Sequence, residues 1–168
     1  MPESRRPACA DLSTSHFPTG SRPAERSDVA YGRNISTEVL LTETFDHSAI
    51  TTLRHAVASR AADAGLVGDR LEDFVVAVNE LLTNAVRHGG GLGRVALWSA
   101  DDAVVCEVSD TGAGLPEAVP EKAVRPAATQ PGGWGLWLAE ELTDTFQLIT
   151  GDGGTTVRVS SRVSLRES

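Results

Sequence analysis

From Asp69 to His88 the chain runs for twenty residues with apolar positions at helical spacing, and three consecutive glycines, Gly89 to Gly91, close the run. No other feature constrains the fold as strongly. Phe74, Val75, Val78, Leu82, Ala85 and Val86 supply one apolar side, so the spacing predicts an amphipathic helix capped by Asp69 and stopped by the glycines. A helix of about 30 Å needs an apolar surface of similar length to cover it. The segments on either side can provide that surface as a sheet.

Glu38 to Phe45 is strand-like, with Val39, Leu41 and Phe45 predicted on one face. Asp46 or Ser48 can cap a helix to about Ala64, carrying Ile50, Leu53, Val57 and Ala61 at helical spacing, with Gly65 as its stop. Arg94 to Ser99 and Ala103 to Ser109 read as a hairpin turned at Ala100-Asp101-Asp102. Residues 110–132 form a long loop, Gly133 to Thr143 a helix, and Phe146–Thr150 with Thr155–Ser161 a last hairpin. The order β-α-α-β-β-loop-α-β-β predicts an α+β two-layer sandwich, with helices on one face of a mixed sheet.

At 168 residues there is room for one such domain. Residues 1–36 hold four of the eight prolines and no apolar periodicity, so they are expected to be a disordered or loosely ordered tail. The domain is expected over 37–162, followed by a short C-terminal tail over 163–168. The apolar share of 40% and the lack of any apolar run near 18 residues speak for a soluble protein with no membrane span. With no apolar leader after Met1, the expected compartment is the cytoplasm. Cys9 falls in the tail, and Cys106, in a Val-rich strand, reads as a small buried hydrophobe. The net charge of −8 argues against direct nucleic-acid binding, which needs clustered Lys and Arg. Residues 1–36 carry five basic and four acidic side chains, which leaves ten and nineteen for residues 37–168. An acidic body suits a protein partner with a basic face, or serves solubility alone.

Three boxes carry candidate chemistry. Glu80, Asn84 and His88 are spaced i, i+4, i+8, on one helical stripe about 80° wide. A carboxylate that accepts a proton, one turn from an amide oxygen that ligates Mg²⁺, suits phosphoryl transfer; a solvated polar face is the plainer alternative. Asp110-Thr111-Gly112-Ala113-Gly114 follows a strand that puts Val104, Cys106 and Val108 on one face. Its Asp can accept a hydrogen bond from an exocyclic amine, and its glycines permit close backbone approach to a flat ring; an ordinary Asp-Gly turn is the alternative. Gly132-Gly133-Trp134-Gly135-Leu136 opens a helix, where backbone N–H groups and the helix dipole can hold phosphate. It lacks the Lys-Ser/Thr ending of a Walker loop.

All three boxes fall within 57 residues, in an order and spacing that resemble the GHKL ATPases, the group of DNA gyrase B subunits and sensor histidine kinases. The resemblance covers about residues 37–162, includes Gly154-Thr155-Thr156-Val157 at the last strand, and implies the Bergerat fold. Glu80-Leu-Leu-Thr-Asn-Ala-Val-Arg-His-Gly89 is most similar to the helix box of bacterial anti-sigma-factor serine/threonine kinases. That resemblance implies Glu80 as general base and Asn84 as Mg²⁺ ligand. It places Asn84, Arg87, His88, Asp110, Gly112, Gly114, Gly133, Gly135, Leu136 and Thr155 around ATP, with Asp110 and Thr155 at adenine and the α-helix-opening glycines at phosphate. The implied partners are a sigma factor and a STAS-type anti-anti-sigma protein phosphorylated on Ser or Thr; a homodimer stays open. Two features depart from the family pattern. Trp134 stands between the loop glycines, where with Trp137 it packs as core or joins a partner surface, and the lid from Gly114 to Gly133 offers only Lys122 and Arg125 to a γ-phosphate. A non-catalytic ATP-binding regulator is the alternative function. A detached histidine-kinase catalytic domain would need a dimeric helical region with an acceptor His, whereas His47 and His55 fall in or beside a helix that belongs to the sandwich.

Overall fold

A computed structural model describes residues 36–115 and 133–163. The tail, the lid with Lys122 and Arg125, and the C-terminal tail lie outside the described residues, save for their boundary positions. The described elements are β1 (Thr37–Phe45), α1 (Ile50–Asp63), α2 (Gly68–His88), β2 (Gly93–Ala100), β3 (Ala103–Asp110), α3 (Trp134–Glu141), β4 (Thr145–Gly151) and β5 (Gly154–Arg162). Their order is the one expected from the sequence.

The five strands form one sheet in the order β1-β2-β3-β5-β4. The expected mixed sheet is corrected here, because each of its four ladders is antiparallel. Phe45 at the end of β1 faces Gly93 at the start of β2, so the two-helix excursion returns the chain to the edge it left. The crossover through α3 does bring β4 back parallel to β3, but β5 inserts between them and pairs antiparallel with both.

One face of the sheet is buried under the helices, which is the two-layer arrangement the patterning predicts. Val95, Leu97, Val104, Cys106, Val108, Val157 and Val159 supply the sheet side of the core. Phe74, Ala77, Val78, Leu81, Leu82 and Ala85 supply the α2 side, and Leu53, Val57 and Ala61 the α1 side. Phe74 is fully enclosed, so truncation to Ala should cost about 3–5 kcal/mol. Cys106 is buried as expected, and desolvation pushes its thiol pKa far above the usual range.

Local chemistry explains the helix ends. Asp46 Oδ1 accepts from Ser48 N at 2.9 Å and Ser48 Oγ at 2.6 Å, which starts the turn leading into α1. Beyond α1, Leu66 N donates to Ala61 O and Gly65 N to Ala62 O, both at 3.0 Å. This paired closure is completed by burial of Leu66. Asp69 is not the cap of α2: Val67 holds that position, and Asp69 lies in the first turn, where its charge still meets the positive end of the helix dipole. Helix α3 stops at Glu141, two residues before the expected end, and Thr143 Oγ1 donates back to Ala139 O at 2.6 Å.

The open face is amphipathic rather than bare. Arg158 binds Glu107 at 2.6 Å and lies 5.5 Å from the centre of the Trp98 ring. In β1 the register shifts between Val39 and Leu41. The bulge breaks the two-residue period, so Val39 is 71% exposed while Leu40 and Leu41 both pack on the core. The expectation that Val39 shares the buried face with Leu41 and Phe45 fails for that reason.

Candidate nucleotide site

The last turns of α2, the end of β3, the start of α3 and the start of β5 converge on a cavity of about 310 Å³. Its polar wall contains Asn84, His88, Asp110 and Thr155, and its backbone rim Gly114 and Gly133. Leu81, Ala85, Val108, Leu136 and Val157 form an apolar floor. A mostly apolar slot with a few converging polar groups suits a flat heterocycle with a polar edge.

Asp110 is fixed by the elements around it. Its Oδ1 accepts from Gly112 N at 3.0 Å and from Thr155 N at 3.2 Å, which ties the loop after β3 to the first residues of β5. Both bonds go to the same oxygen. The backbone packs so closely here that a Cβ on Gly89 would collide with Ala85 O and with Cβ and Cγ of Asp110. A Cβ on Gly112 would sit 2.7 Å from Gly89 Cα and 2.9 Å from His88 O. The end of α2 and the Asp-x-Gly-x-Gly loop therefore touch backbone to backbone. Thr150 Oγ1 accepts from Leu115 N at 2.7 Å, which anchors the far end of the loop to the β4–β5 hairpin.

The second close contact brings in the remaining box. A Cβ on Gly135 would lie 2.8 Å from Asn84 Nδ2 and 3.0 Å from Glu80 Oε2. The first turn of α3 thus rests on the two polar side chains that α2 presents one turn apart, and both are half-buried. Gly133 and Leu136 face the cavity, while Gly135 faces Glu80 and Asn84.

Of the sequence-expected residues, Asn84, His88, Asp110, Gly114, Gly133, Leu136 and Thr155 line the cavity. Glu80, Gly112 and Gly135 adjoin it through the contacts just described. Arg87 is exposed near the end of α2 and is not part of the wall. The floor residues Leu81, Ala85, Val108 and Val157 are not among the site residues that the sequence boxes predict. The available signal was their register: Val108 and Val157 are direct cross-strand partners, and Leu81 and Ala85 are one turn apart on α2. The sequence predicts Gly89 as a helix stop, and its lack of a side chain also admits Asp110.

The donors present suit Mg²⁺ held largely by phosphate. Among the described residues no cluster of three or more His, Cys, Asp or Glu could cage a metal, and Mg²⁺ commonly takes one or two protein oxygens plus substrate phosphates and water. The Asn84 amide, beside the cavity and one turn from Glu80, fits that use.

Residues 44–161 match the sequence model of the histidine kinase-like ATPase domain. Over 124 residues the chain is 29% identical to the anti-sigma F factor of Clostridium acetobutylicum, an alignment that covers 68% of this chain and 85% of that protein. It is also similar to the crystal structure of the RsbU and RsbW domains of a Mycobacterium tuberculosis protein, with 29% identity and a TM-score of 0.55. That match covers 74% of this chain and 32% of the mycobacterial one, so the chain spans about a third of the longer protein.

Proposed function

The chain belongs to the histidine kinase-like ATPase domain family, and from that membership we propose an ATP-dependent anti-sigma-factor serine/threonine kinase that binds a sigma factor and phosphorylates a STAS-type anti-anti-sigma protein. Membership makes ATP the nucleotide. The anti-sigma role is supported by the likeness to the clostridial anti-sigma F factor and to a chain carrying an RsbW domain. One observation carries the catalytic part: Gly135 seats the N-terminal turn of α3 directly on Glu80 and Asn84, at the edge of the cavity whose wall includes Asp110.

In this reading the adenine lies on the Val108, Val157 and Ala85 floor and donates its exocyclic amine to the second oxygen of Asp110. Thr155 borders the ring, and His88 closes one side. The triphosphate runs toward α3, where the N–H groups of Gly133, Gly135 and Leu136 and the positive helix end receive it. Arg87, exposed near the end of α2 and outside the cavity wall, reaches the nucleotide only from solvent in this reading. Mg²⁺, held by the Asn84 oxygen and the phosphates, would supply neutralisation of phosphate charge. Glu80 accepts the proton of the acceptor Ser or Thr hydroxyl. That oxygen forms the new bond to the γ-phosphorus, the bond from the γ-phosphorus to the β,γ-bridging oxygen breaks, and ADP leaves with the electron pair. Most of the acceleration comes from positioning and charge stabilisation, since phosphoryl transfer asks little covalent chemistry of the protein.

A cytoplasmic location is part of the proposal. It agrees with the finding that, among the described residues, no helix is long and apolar enough to cross a membrane. The test is phosphotransfer from radiolabelled ATP to the anti-anti-sigma protein of the same organism, with and without Mg²⁺. Label on a Ser or Thr of that protein supports the reading. Protein that binds Mg-ATP and transfers nothing would instead make this a non-catalytic ATP-binding regulator.

A further inference from the structure

Trp134 and Trp137 lie on α3 but outside the nucleotide cavity, whose wall takes Gly133 and Leu136 from the same turn. The two indoles meet edge to face, with centroids 5.5 Å apart and planes at 86°. Both are half-buried. Glu141 follows at i+7 from Trp134, so Trp134, Trp137 and Glu141 share one side of the helix. The buried Ala139 marks the other side. Trp134 is also the direct neighbour of Gly135, whose backbone touches Glu80 and Asn84. The aromatic stripe therefore begins beside the proposed base and leads away from the nucleotide.

Among the described residues, no hydrogen bond or ion pair engages the Glu141 carboxylate. Glu141 is exposed in the last turn of α3, and that turn contains no basic residue. An acid at the C-terminal end of a helix opposes the helix dipole. A cation brought by another molecule would relieve that opposition.

We propose that Trp134 and Glu141 determine acceptor specificity by binding the polypeptide that flanks the phosphorylated Ser or Thr. Trp134, braced edge-on by Trp137, takes an apolar side chain next to the hydroxyl-bearing residue. Glu141 takes a Lys or Arg further along the same segment. Seven helical residues rise about 10 Å, a span that about three extended residues match. The basic residue thus falls about three positions beyond the apolar one. An indole offers a large rigid face to such a segment at low conformational cost, and an exposed carboxylate gives selectivity through charge. This inference rests on the kinase reading, because it places the acceptor at Glu80.

The experiment measures steady-state phosphorylation of the purified anti-anti-sigma protein by the full chain, for wild type, Trp134→Phe, Trp134→Ala and Glu141→Lys. ATP affinity is measured for each by calorimetry. Trp134→Ala is expected to raise KM for the acceptor about tenfold while kcat and ATP affinity stay within about twofold; Trp134→Phe should recover most of the loss. Glu141→Lys, at an exposed position, should raise the acceptor KM about fivefold, and the increase should shrink in high salt. Unchanged acceptor KM in both Trp134→Ala and Glu141→Lys would overturn the inference. So would an equal fall in ATP affinity in Trp134→Ala, which would make the indole purely structural. Absence of transfer by wild type would remove the kinase reading and this inference together, an outcome distinct from transfer with unaltered KM.

Discussion

Replacing Asp110 separates the loop-anchoring job of its carboxylate from the adenine-binding one proposed for it. Oδ1 holds the loop by accepting from Gly112 N at 3.0 Å and Thr155 N at 3.2 Å, and the second oxygen is assigned to the adenine amine. In Asp110→Asn the amide oxygen can keep both loop bonds, now as neutral rather than charge-assisted ones, while the amide nitrogen takes the ligand-facing place. A donor then meets a donor. Losing the hydrogen bond to a buried amine costs about 1–3 kcal/mol, which at 1.4 kcal/mol per decade is at least roughly a fivefold and up to about a hundredfold fall in affinity. Asp110→Ala loses that bond and also leaves two backbone N–H groups of a half-buried loop unpaired, so it should lower stability by about 1–2 kcal/mol as well. Calorimetric titration with ATP and with ADP, alongside thermal unfolding of both variants, gives the two quantities separately. The expected pattern is weak binding in both variants with a clear fall in melting temperature only for Asp110→Ala. Wild-type nucleotide affinity in a folded Asp110→Asn would refute the adenine assignment and leave Asp110 as a loop anchor alone.

Three further outcomes follow from the same geometry. Glu80→Gln should keep ATP affinity within about twofold and lower phosphate transfer by a factor of about 10² or more, whereas Asn84→Ala should weaken Mg²⁺-dependent ATP binding as well; calorimetry and the radiolabel assay read the two, and full transfer by Glu80→Gln would rule out the base. Gly135→Ala puts a methyl 2.8 Å from Asn84 Nδ2 and 3.0 Å from Glu80 Oε2, so it should displace α3 and reduce both ATP affinity and transfer; wild-type binding in that variant would show that the contact is dispensable. The Asp144 carboxyl is held below its ordinary pKa, chiefly by the bond from Arg162 N at 2.7 Å and then by Arg70 at 2.8 Å. A depressed carboxylate stabilises the fold above its unfolded pKa of about 3.9, and the increment is lost as pH falls through the lower folded value. Partly exposed, the ion pair to Arg70 should contribute less than about 1 kcal/mol, so the melting temperature of Asp144→Asn should lie slightly below wild type near pH 7 and converge with it in acid.

The sequence made the elements legible because most of them satisfy one local rule without conflict. Helix α2 is the clearest case, since its apolar spacing and glycine stop agree: of the six positions that spacing selects, Phe74, Val78, Leu82 and Ala85 are buried and Val75 and Val86 half-buried. What the pattern could not show was pairing that depends on distant segments. Leu40 looks like an outward position in strict alternation, and only the partner strand β2 reveals the bulge that turns Leu40 and Leu41 both toward the core. The insertion of β5 between β3 and β4 is likewise a choice among ladders, invisible in any one strand. Asp69 obeys the capping preference in composition, yet the extended backbone at Val67 sets the helix start before it.

For the site, a similar division has a mechanical origin. The polar residues were legible because they stand at element ends, in short patterns where each needs a particular side chain. The close approaches were less so, because a glycine in a sequence does not say what it admits. Gly89 admits the Asp110 side chain and Gly135 admits Glu80 and Asn84. Through these two contacts the boxes become one unit: the carboxylate expected to read the base is packed on the end of α2, and the helix expected to receive phosphate is packed on the middle of it. A shift of α2 along its axis would move Asp110 through Gly89 and α3 through Gly135 in the same direction. The ends of the cavity proposed for adenine and phosphate are therefore registered to each other by one helix, at the spacing of Glu80, Asn84 and His88, rather than by the loops that carry Asp110 and Gly133. That is why substitution of either glycine is expected to affect binding and transfer together, whereas Glu80→Gln, which leaves the packing intact, affects transfer alone.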